Sequence, residues 1–435
     1  MPKRHRASQM RNRKFLDPKK LAFENQKFKR IFKINEGLRS HNLELLRECG
    51  RKEGFVNDAM RRRVWPVLLR CEETIGEPLE ILTNTHKDES QVALDVPRSV
   101  NRYPPNIDDE RRKALQDDLK LVILHVLRSC PSLHYYQGFH DVCTVFLLLF
   151  GVNKAIVLVE KLAIYFLRYP LLQRNNNAML VELGPVLEEL SLVDSLIMSE
   201  DEELAAFIKK SDIVPFYALS WVITWCSHDL DDLDKITRLF DFFLCSNPLM
   251  PVYFTAAVVL SRRSEILRLE CEFSTVHGFL TKLPQDIDVE RLIGSAIEIE
   301  GRYPPIALQY KSGIGLATIS TVNTYDDLWI SLDTATIIKE GEVKVDPAVL
   351  AAESEAQAKA ALEIPHNERT RLPIPTKTTQ IQGKDDEFKH HSEFVLDKLR
   401  RLSRQDVFMM AAISAGVGTL AFLISQDILR EWILF

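Results

Sequence analysis

From about residue 34 to residue 300, apolar residues recur at helical spacing, and no run alternates with hairpin turns as strands would. The clearest stretch is "KALQDDLKLVILHVLRSC". There Leu115, Leu119, Val122, Ile123 and Val126 are spaced by 4, 3, 1 and 3 positions and share one helix face. Asp108, Asp109 and Glu110 precede it, where acidic side chains favour a helix start. "DVCTVFLLLF" and "YALSWVITWC" are apolar nearly all round, as buried central helices are. The body over 34–300 is therefore expected to be all-α. At 46% hydrophobic and 27% charged in 435 residues, the chain has the composition of a globular protein with a sizeable core. It contains no internal repeat.

The flanks read differently. Residues 1–33 carry twelve Lys or Arg against Asp17 and Glu24, a basic arm expected to be ordered only where "NQKFKRIFK" begins a helical pattern. This arm reads as solvated, brushing an anionic membrane in preference to nucleic acid. From 303 to 404 the periodicity dissolves. "AAESEAQAKAALEIP" suits an isolated polar helix, and "RTRLPIPTKTTQIQGKDDEFKHH" has the composition of a flexible linker.

The fourth zone is "VFMMAAISAGVGTLAFLI", Val407 to Ile424, eighteen residues without a charge. At about 1.5 Å per residue this spans about 27 Å, the hydrocarbon thickness of an endoplasmic-reticulum bilayer. Lys398, Arg400, Arg401 and Arg404 precede it, and a short tail, 425–435 with Trp432, follows. The charge bias places the body in the cytosol and the tail in the lumen. A second apolar run, 240–260, is interrupted by Asp241, Asn247, Pro248 and Pro251 and is expected to be core.

Seven cysteines, Cys49, Cys71, Cys130, Cys143, Cys226, Cys245 and Cys271, show no CxxC spacing. Most lie in apolar context, which fits reduced thiols better than disulfides or a zinc site. His125, His134, His140 and His228 have no carboxylate or cysteine at ligand spacing, so no metal site is expected. The basic N-terminus lacks the apolar core of a secretory signal. No GxxxxGK[ST] loop exists, so the chain is not expected to bind GTP by itself.

"LDVPRS" is harder to explain as scaffold. Pro97 fixes its own φ and pushes Val96 away from the helical region, so Arg98 is expected on a stiff loop. Alone, Arg98 would be a surface arginine paired with Asp95, and Gln137 a glutamine at a helix start. Around them, however, five segments follow in order: "RRRVWPVLL" (61–69), "LDVPRS", "LHYYQGFHD" (133–141), "YALSWVITWCSH" (217–228) and "RLFDFFL" (238–244). Together these resemble the TBC domain of Rab GTPase-activating proteins, over about 54–262. The family's Ile-x-x-Asp-x-x-Arg reads Val92-x-x-Asp95-x-x-Arg98, with Ser99 where Thr is usual. Its Tyr-x-Gln-Gly reads Tyr135-Tyr136-Gln137-Gly138, with His140 where many members carry Asn.

The resemblance implies that Arg98 is an arginine finger and Gln137 a glutamine finger, both supplied in trans to a GTP-bound Rab. Arginine's planar fork can grip two phosphate oxygens. A primary amide both donates and accepts, as a group that positions water must. Asp95, Tyr135 and Gly138 are implied as supporting residues, with Asp95 orienting the loop. Arg61, Trp65, Trp221, Trp225 and Asp241 read as structural. No cofactor is expected; GTP and magnesium come with the Rab. The resemblance also implies a target in endoplasmic-reticulum-to-Golgi transport. The rival reading is a catalytically silent, membrane-anchored Rab-binding scaffold or tether, which has no need for both Arg98 and Gln137.

Overall fold

The computed structural model describes residues 18–72, 74–77, 79, 82–168, 184–335, 347–364 and 368–374. Among these there is no β-strand; Ala317 and Arg371 form an isolated antiparallel bridge. The first helices are α1 (Pro18–Arg39), α2 (Leu43–Lys52) and α3 (Asp58–Leu68). Then come α4 (Glu89–Asp95), α5 (Asp109–Ser129), α6 (Phe139–Phe150) and α7 (Val152–Tyr165). After a gap follow α8 (Gly184–Glu200), α9 (Glu202–Lys210) and the five-residue α10 (Leu219–Ile223). The body closes with α11 (Leu233–Leu244), α12 (Met250–Ser261), α13 (Arg263–Ile266), α14 (Phe273–Leu280) and α15 (Val289–Arg302).

Many of these helices start where a short polar side chain caps them. Asn42, Asn57, Asp108, Asp201 and Asp288 each accept a hydrogen bond from the backbone N–H three residues on, at 2.7–3.1 Å. Such a cap satisfies an N–H that the helix itself leaves unpaired. Between the caps the apolar stripes turn inward. On α5, Leu115, Leu119, Val122, Ile123 and Val126 are all buried, the face expected from their spacing. The 240–260 run is two core helices, α11 and α12, parted by Asn247 and Pro248. All seven cysteines are free, and all but Cys271 are buried. Among the described residues no helix is long and apolar enough to cross a membrane. The segment 407–424 lies outside the described residues, as does 1–17 of the basic arm.

Three expectations need correction. Helix α1 begins at Pro18, so the second half of the basic arm is helical before the "NQKFKRIFK" stretch. "YALSWVITWC" is not one helix. A 3₁₀ turn, Pro215–Ala218, leads into α10, which ends at Ile223. Trp225 and Cys226 have φ of 53° and 63°, and the Cys226 N–H bonds the Trp221 carbonyl at 2.9 Å. That bond is the wrap that closes a helix C-terminus, normally through glycine. Here a tryptophan takes the left-handed position. Its indole packs against Phe240 and Phe243, with centroids 5.2 and 5.4 Å away, and this burial offsets the backbone strain.

The third correction concerns the linker expected over 303–404. Its first part is folded onto the body. Helix α16 (Pro305–Ser312), a π turn (Asp326–Ile330), α17 (Ser331–Ala335) and α18 (Pro347–Glu363), with the stretch between α16 and the π turn, bury Leu308, Leu316, Trp329, Ala358 and Leu362. Arg47 and Arg70 both bond the Asp333 carboxylate, and the Arg70 guanidinium lies 4.4 Å above the Trp329 ring. Short pieces anchored by single large side chains leave no period to read. Helix α18 docks through Ser354, Ala358, Ala361 and Leu362, a helical stripe too small and polar to look apolar. The rest of the expected linker, from 375, lies outside the described residues.

Candidate functional site

Helix α4 runs directly into a 3₁₀ turn, Val96–Arg98, so Val96 keeps helical angles (φ −55°, ψ −42°) before Pro97, contrary to the expectation that the proline would push it out of that region. Val92, Asp95 and Val96 point into the protein, leaving Pro97 and Arg98 exposed. The backbone behind them is tied down. The Ser99 hydroxyl donates to the Val96 carbonyl at 2.6 Å. The Gln116 amide, from α5, donates to the carbonyls of Pro97 and Ser99 at 3.0 and 3.1 Å. Among the described residues, the Arg98 guanidinium has no hydrogen-bond or ion-pair partner. The turn is fixed by its main chain, and the side chain is left to solvent.

The second turn is built as tightly. Gly138, at the entrance of α6, has φ of 108°, and a Cβ there would lie 2.7 Å from the Thr224 methyl group. Only glycine fits both the backbone and that close approach. Tyr136 is buried and donates its hydroxyl to the Ile223 carbonyl at 2.8 Å. The Tyr135 N–H donates to Asp88 at 2.9 Å. Between these anchors Gln137 is exposed.

One buried hydrogen bond joins the turns. The Tyr135 hydroxyl donates to the Asp95 carboxylate at 2.9 Å. Burial, and then the neighbouring Asp95 charge, push the phenol well above its ordinary range, so it remains a donor. Asp95 was expected to orient the arginine turn. Its carboxylate engages the glutamine turn instead of the Arg98 guanidinium, and so couples the placement of Arg98 and Gln137.

The other residues singled out from the sequence lie in the core. Arg61 grips Asp241 with its Nε and Nη2 at 2.9–3.1 Å. The Trp65 indole N–H donates to the same carboxylate at 2.8 Å, and the Phe55 N–H at 3.0 Å. Burial pulls the Arg61 pKa down, but the Asp241 charge and hydrogen bonds outweigh it, and the net shift is upward. Trp221 and Trp225 are both buried, Trp225 as the first residue of the left-handed turn described above. Trp65 and Phe240 stack with centroids 6.1 Å apart.

Several contributors escaped the sequence reading. Gln116 had no signal, being one polar residue beside a helix stripe. Thr224 sits in the "SWVITW" segment, but its contact with Gly138 spans 86 positions of chain and no local pattern reveals it. The pair His228 and Asp141, 2.8 Å apart, was hidden for the same reason.

Comparison with known proteins agrees with this architecture. The model of the Rab-GTPase-TBC domain family matches residues 58–267. TBC1 domain family member 20 of Mus musculus is 38% identical over 297 residues, covering 66% of this chain and 71% of that one. The GTPase-activating protein gyp10 of Schizosaccharomyces pombe is 35% identical over 271 residues, covering 60% and 69%. The crystal structure of the Ypt/Rab-GAP domain of Gyp1p superposes with a TM-score of 0.50 at 16% identity, over 63% of this chain and 99% of that domain. The chain belongs to the Rab-GTPase-TBC domain family.

Proposed function

We propose that this protein accelerates GTP hydrolysis on a Rab-family GTPase, with Arg98 and Gln137 entering the Rab's nucleotide site in trans. The observation that carries the reading is the pair of exposed side chains, Arg98 and Gln137, on turns locked together by the buried Tyr135–Asp95 bond. In this mechanism a water attacks the γ-phosphorus and the bond to the β–γ bridging oxygen breaks. The Gln137 carbonyl accepts a hydrogen bond from that water while its NH₂ group steadies a phosphate oxygen. The Arg98 guanidinium donates to oxygens on which charge accumulates, an effect of about 10³–10⁵ in rate. GTP and Mg²⁺ come with the Rab, and this chain adds no site of its own.

We further infer that residues 407–424 span the endoplasmic-reticulum membrane with the body in the cytosol, and that the target Rab acts between that compartment and the Golgi. The uncharged stretch and the Arg-rich segment before it motivate this reading. Deleting 405–435 is then expected to release the protein from membranes. Retention after a salt wash would assign the anchor to another part of the chain.

The deciding experiment is phosphate release from a panel of GTP-loaded Rabs, with the parent chain and with Gln137→Ala. The expected result is stimulation of one or a few Rabs, reduced about 10²–10³-fold by the substitution, the usual cost of losing one donor to a transition state. Stimulation of no Rab would overturn the reading in favour of a scaffold. An unaffected Gln137→Ala would show that the Rab positions its own water.

A further inference from the structure

The arginine turn is held at two places far apart in sequence, and the contacts between them form a circuit. It leaves the turn at Asp95. The Tyr135 hydroxyl donates to Asp95 and also lies 2.8 Å from His140 Nδ1. A phenol carries one hydrogen, already given to Asp95, so the second contact is completed by the tautomer whose Nδ1–H donates to the phenol oxygen. His140 Nε2 faces Asp141 Oδ2 at 3.4 Å. The same oxygen lies 2.8 Å from His228 Nδ1. The backbone beside His228 then returns to the arginine segment. The Tyr103 hydroxyl donates to the Ser227 carbonyl at 2.9 Å, and Arg102 donates to the His228 carbonyl. Asp141 also sits three residues after Gly138, at the start of the helix that the glutamine turn leads into.

We propose that His228 is a positioning residue for the GTPase-activating reaction: its imidazolium, paired with Asp141, holds the Ser227–His228 backbone against Tyr103 and Arg102. It thereby sets the arginine turn in register with the glutamine turn. This rests on the reading that Arg98 and Gln137 act on the Rab's nucleotide. His228 touches no substrate; it acts through the two turns.

The charges facing His228 decide how it responds to pH. Asp141 and His140 face it from α6, Arg102 from the arginine segment, and Asp229 from its own turn. The hydrogen bond to Asp141 raises the His228 pKa against the opposing effect of burial. Burial pushes Asp141 up, but the charge of His140 and the hydrogen bond from His228 outweigh it, and the net shift is down. Burial pushes Asp229 up to about 6, so above that value it is ionised and also favours the imidazolium. A histidine with a raised folded pKa contributes fully below its unfolded value of about 6.5 and loses that contribution as pH rises through the folded value. The clamp is therefore fully set below about pH 6.5 and is released as pH rises through the raised folded value.

The test uses the full chain and a GTP-loaded Rab that the parent activates, with kcat and KM measured from about pH 5.5 to 8.5, a window that brackets histidine's ordinary value. His228→Asn keeps one donor for Asp141 without the charge, and His228→Leu keeps none. The expected result is a kcat about tenfold lower for His228→Leu, within the 10²-fold that an ångström of misplacement can cost. KM should change little, and His228→Asn should fall between. The parent's decline with rising pH should be absent from both variants, each compared with the parent on the same Rab at the same pH. If His228→Leu does not fold, judged by thermal melting, His228→Asn carries the test. Equal kcat in parent and His228→Asn at every pH would overturn the proposal. So would a pH profile that persists in the variant. An active Arg98→Lys would instead sink the finger reading on which it rests, and the two failures are thus distinguishable.

Discussion

Arg61 and Arg98 are the same residue type treated in opposite ways. Arg61 is buried, and its Nε and Nη2 are spent on Asp241, a carboxylate that also takes the N–H groups of Trp65 and Phe55. Arg98 is exposed and its side chain is without a partner among the described residues, while Ser99 and Gln116 bind the backbone on either side of it, at Val96, Pro97 and Ser99. In the first case the side chain is the structure, joining α3 to α11 across 180 positions. In the second the main chain is the structure, and the side chain is presented to something else. A buried arginine stripped of its partner is costly, so its neighbourhood constrains stability. An exposed arginine on a rigid turn can be lost from the fold at little cost, so its neighbourhood constrains function.

This contrast makes opposite expectations for substitutions at the two places. The largest effect belongs to Arg98→Lys. Stimulated hydrolysis is expected to fall by at least about 10³-fold, because an ammonium cannot copy the planar fork. Thermal unfolding should stay where the parent's lies. Activity within about threefold of the parent would remove Arg98 from the mechanism. Asp241→Asn is the converse. It leaves the buried Arg61 with only the half-exposed Asp58, at 2.9 Å, as a counter-charge, and should cost stability by denaturant unfolding near the lower end of the about 3–5 kcal/mol that breaking a buried pair costs. Any folded fraction should keep its turnover per molecule. A stable but inactive Asp241→Asn protein would show that the hub reaches the nucleotide site and would dissolve the contrast.

A smaller effect is expected from Asp333→Asn. Asp333 is the acceptor for both Arg47 and Arg70 and pins the segment after residue 303 to the body. Hydrogen bonds to charged groups contribute about 1.5–3 kcal/mol each, and one acceptor atom survives the change, so a loss in that range is expected. Its check is the urea midpoint of the full chain. No shift would mean that α16 to α18 cover the body without supporting it. A chain cut at 302 should show at least the same loss, since it removes Trp329 as well.

The legible parts of the fold were those whose cause is local. The α5 stripe and its Asp108 cap could be read within one segment, because the buried face and the first turn are set by neighbours three and four residues away. The two turns were found through their motifs, yet their coupling was not: Asp95 and Tyr135 lie 40 positions apart. Trp225 was read as helical because nothing in "SWVITW" signals a reversal. The turn is imposed by what the indole packs against, in α11. The segment from 303 looked like linker because alanines and single anchors carry its contacts. In each case the missing information was a partner distant in sequence.

The finest test lies at the contact between the glutamine turn and that reversal. Gly138→Ala adds a Cβ 2.7 Å from the Thr224 methyl and places it on a residue with φ of 108°. The backbone part of this strain, of order 1–3 kcal/mol, stays whatever surrounds it. The steric part is separable, because Thr224→Ser removes the methyl group and keeps the hydroxyl that bonds the Ser220 carbonyl at 2.6 Å. In a double-mutant cycle, Gly138→Ala with Thr224→Ser is expected to recover about 0.5–1 kcal/mol relative to the sum of the single changes. Hydrolysis should recover in step, since Gln137 is displaced only as far as Gly138 is. Strict additivity would mean that Gly138 serves its backbone angle alone. Recovered stability without recovered hydrolysis would place the sensitivity of the site in the angle that aims Gln137, with the Thr224 contact contributing only to the fold.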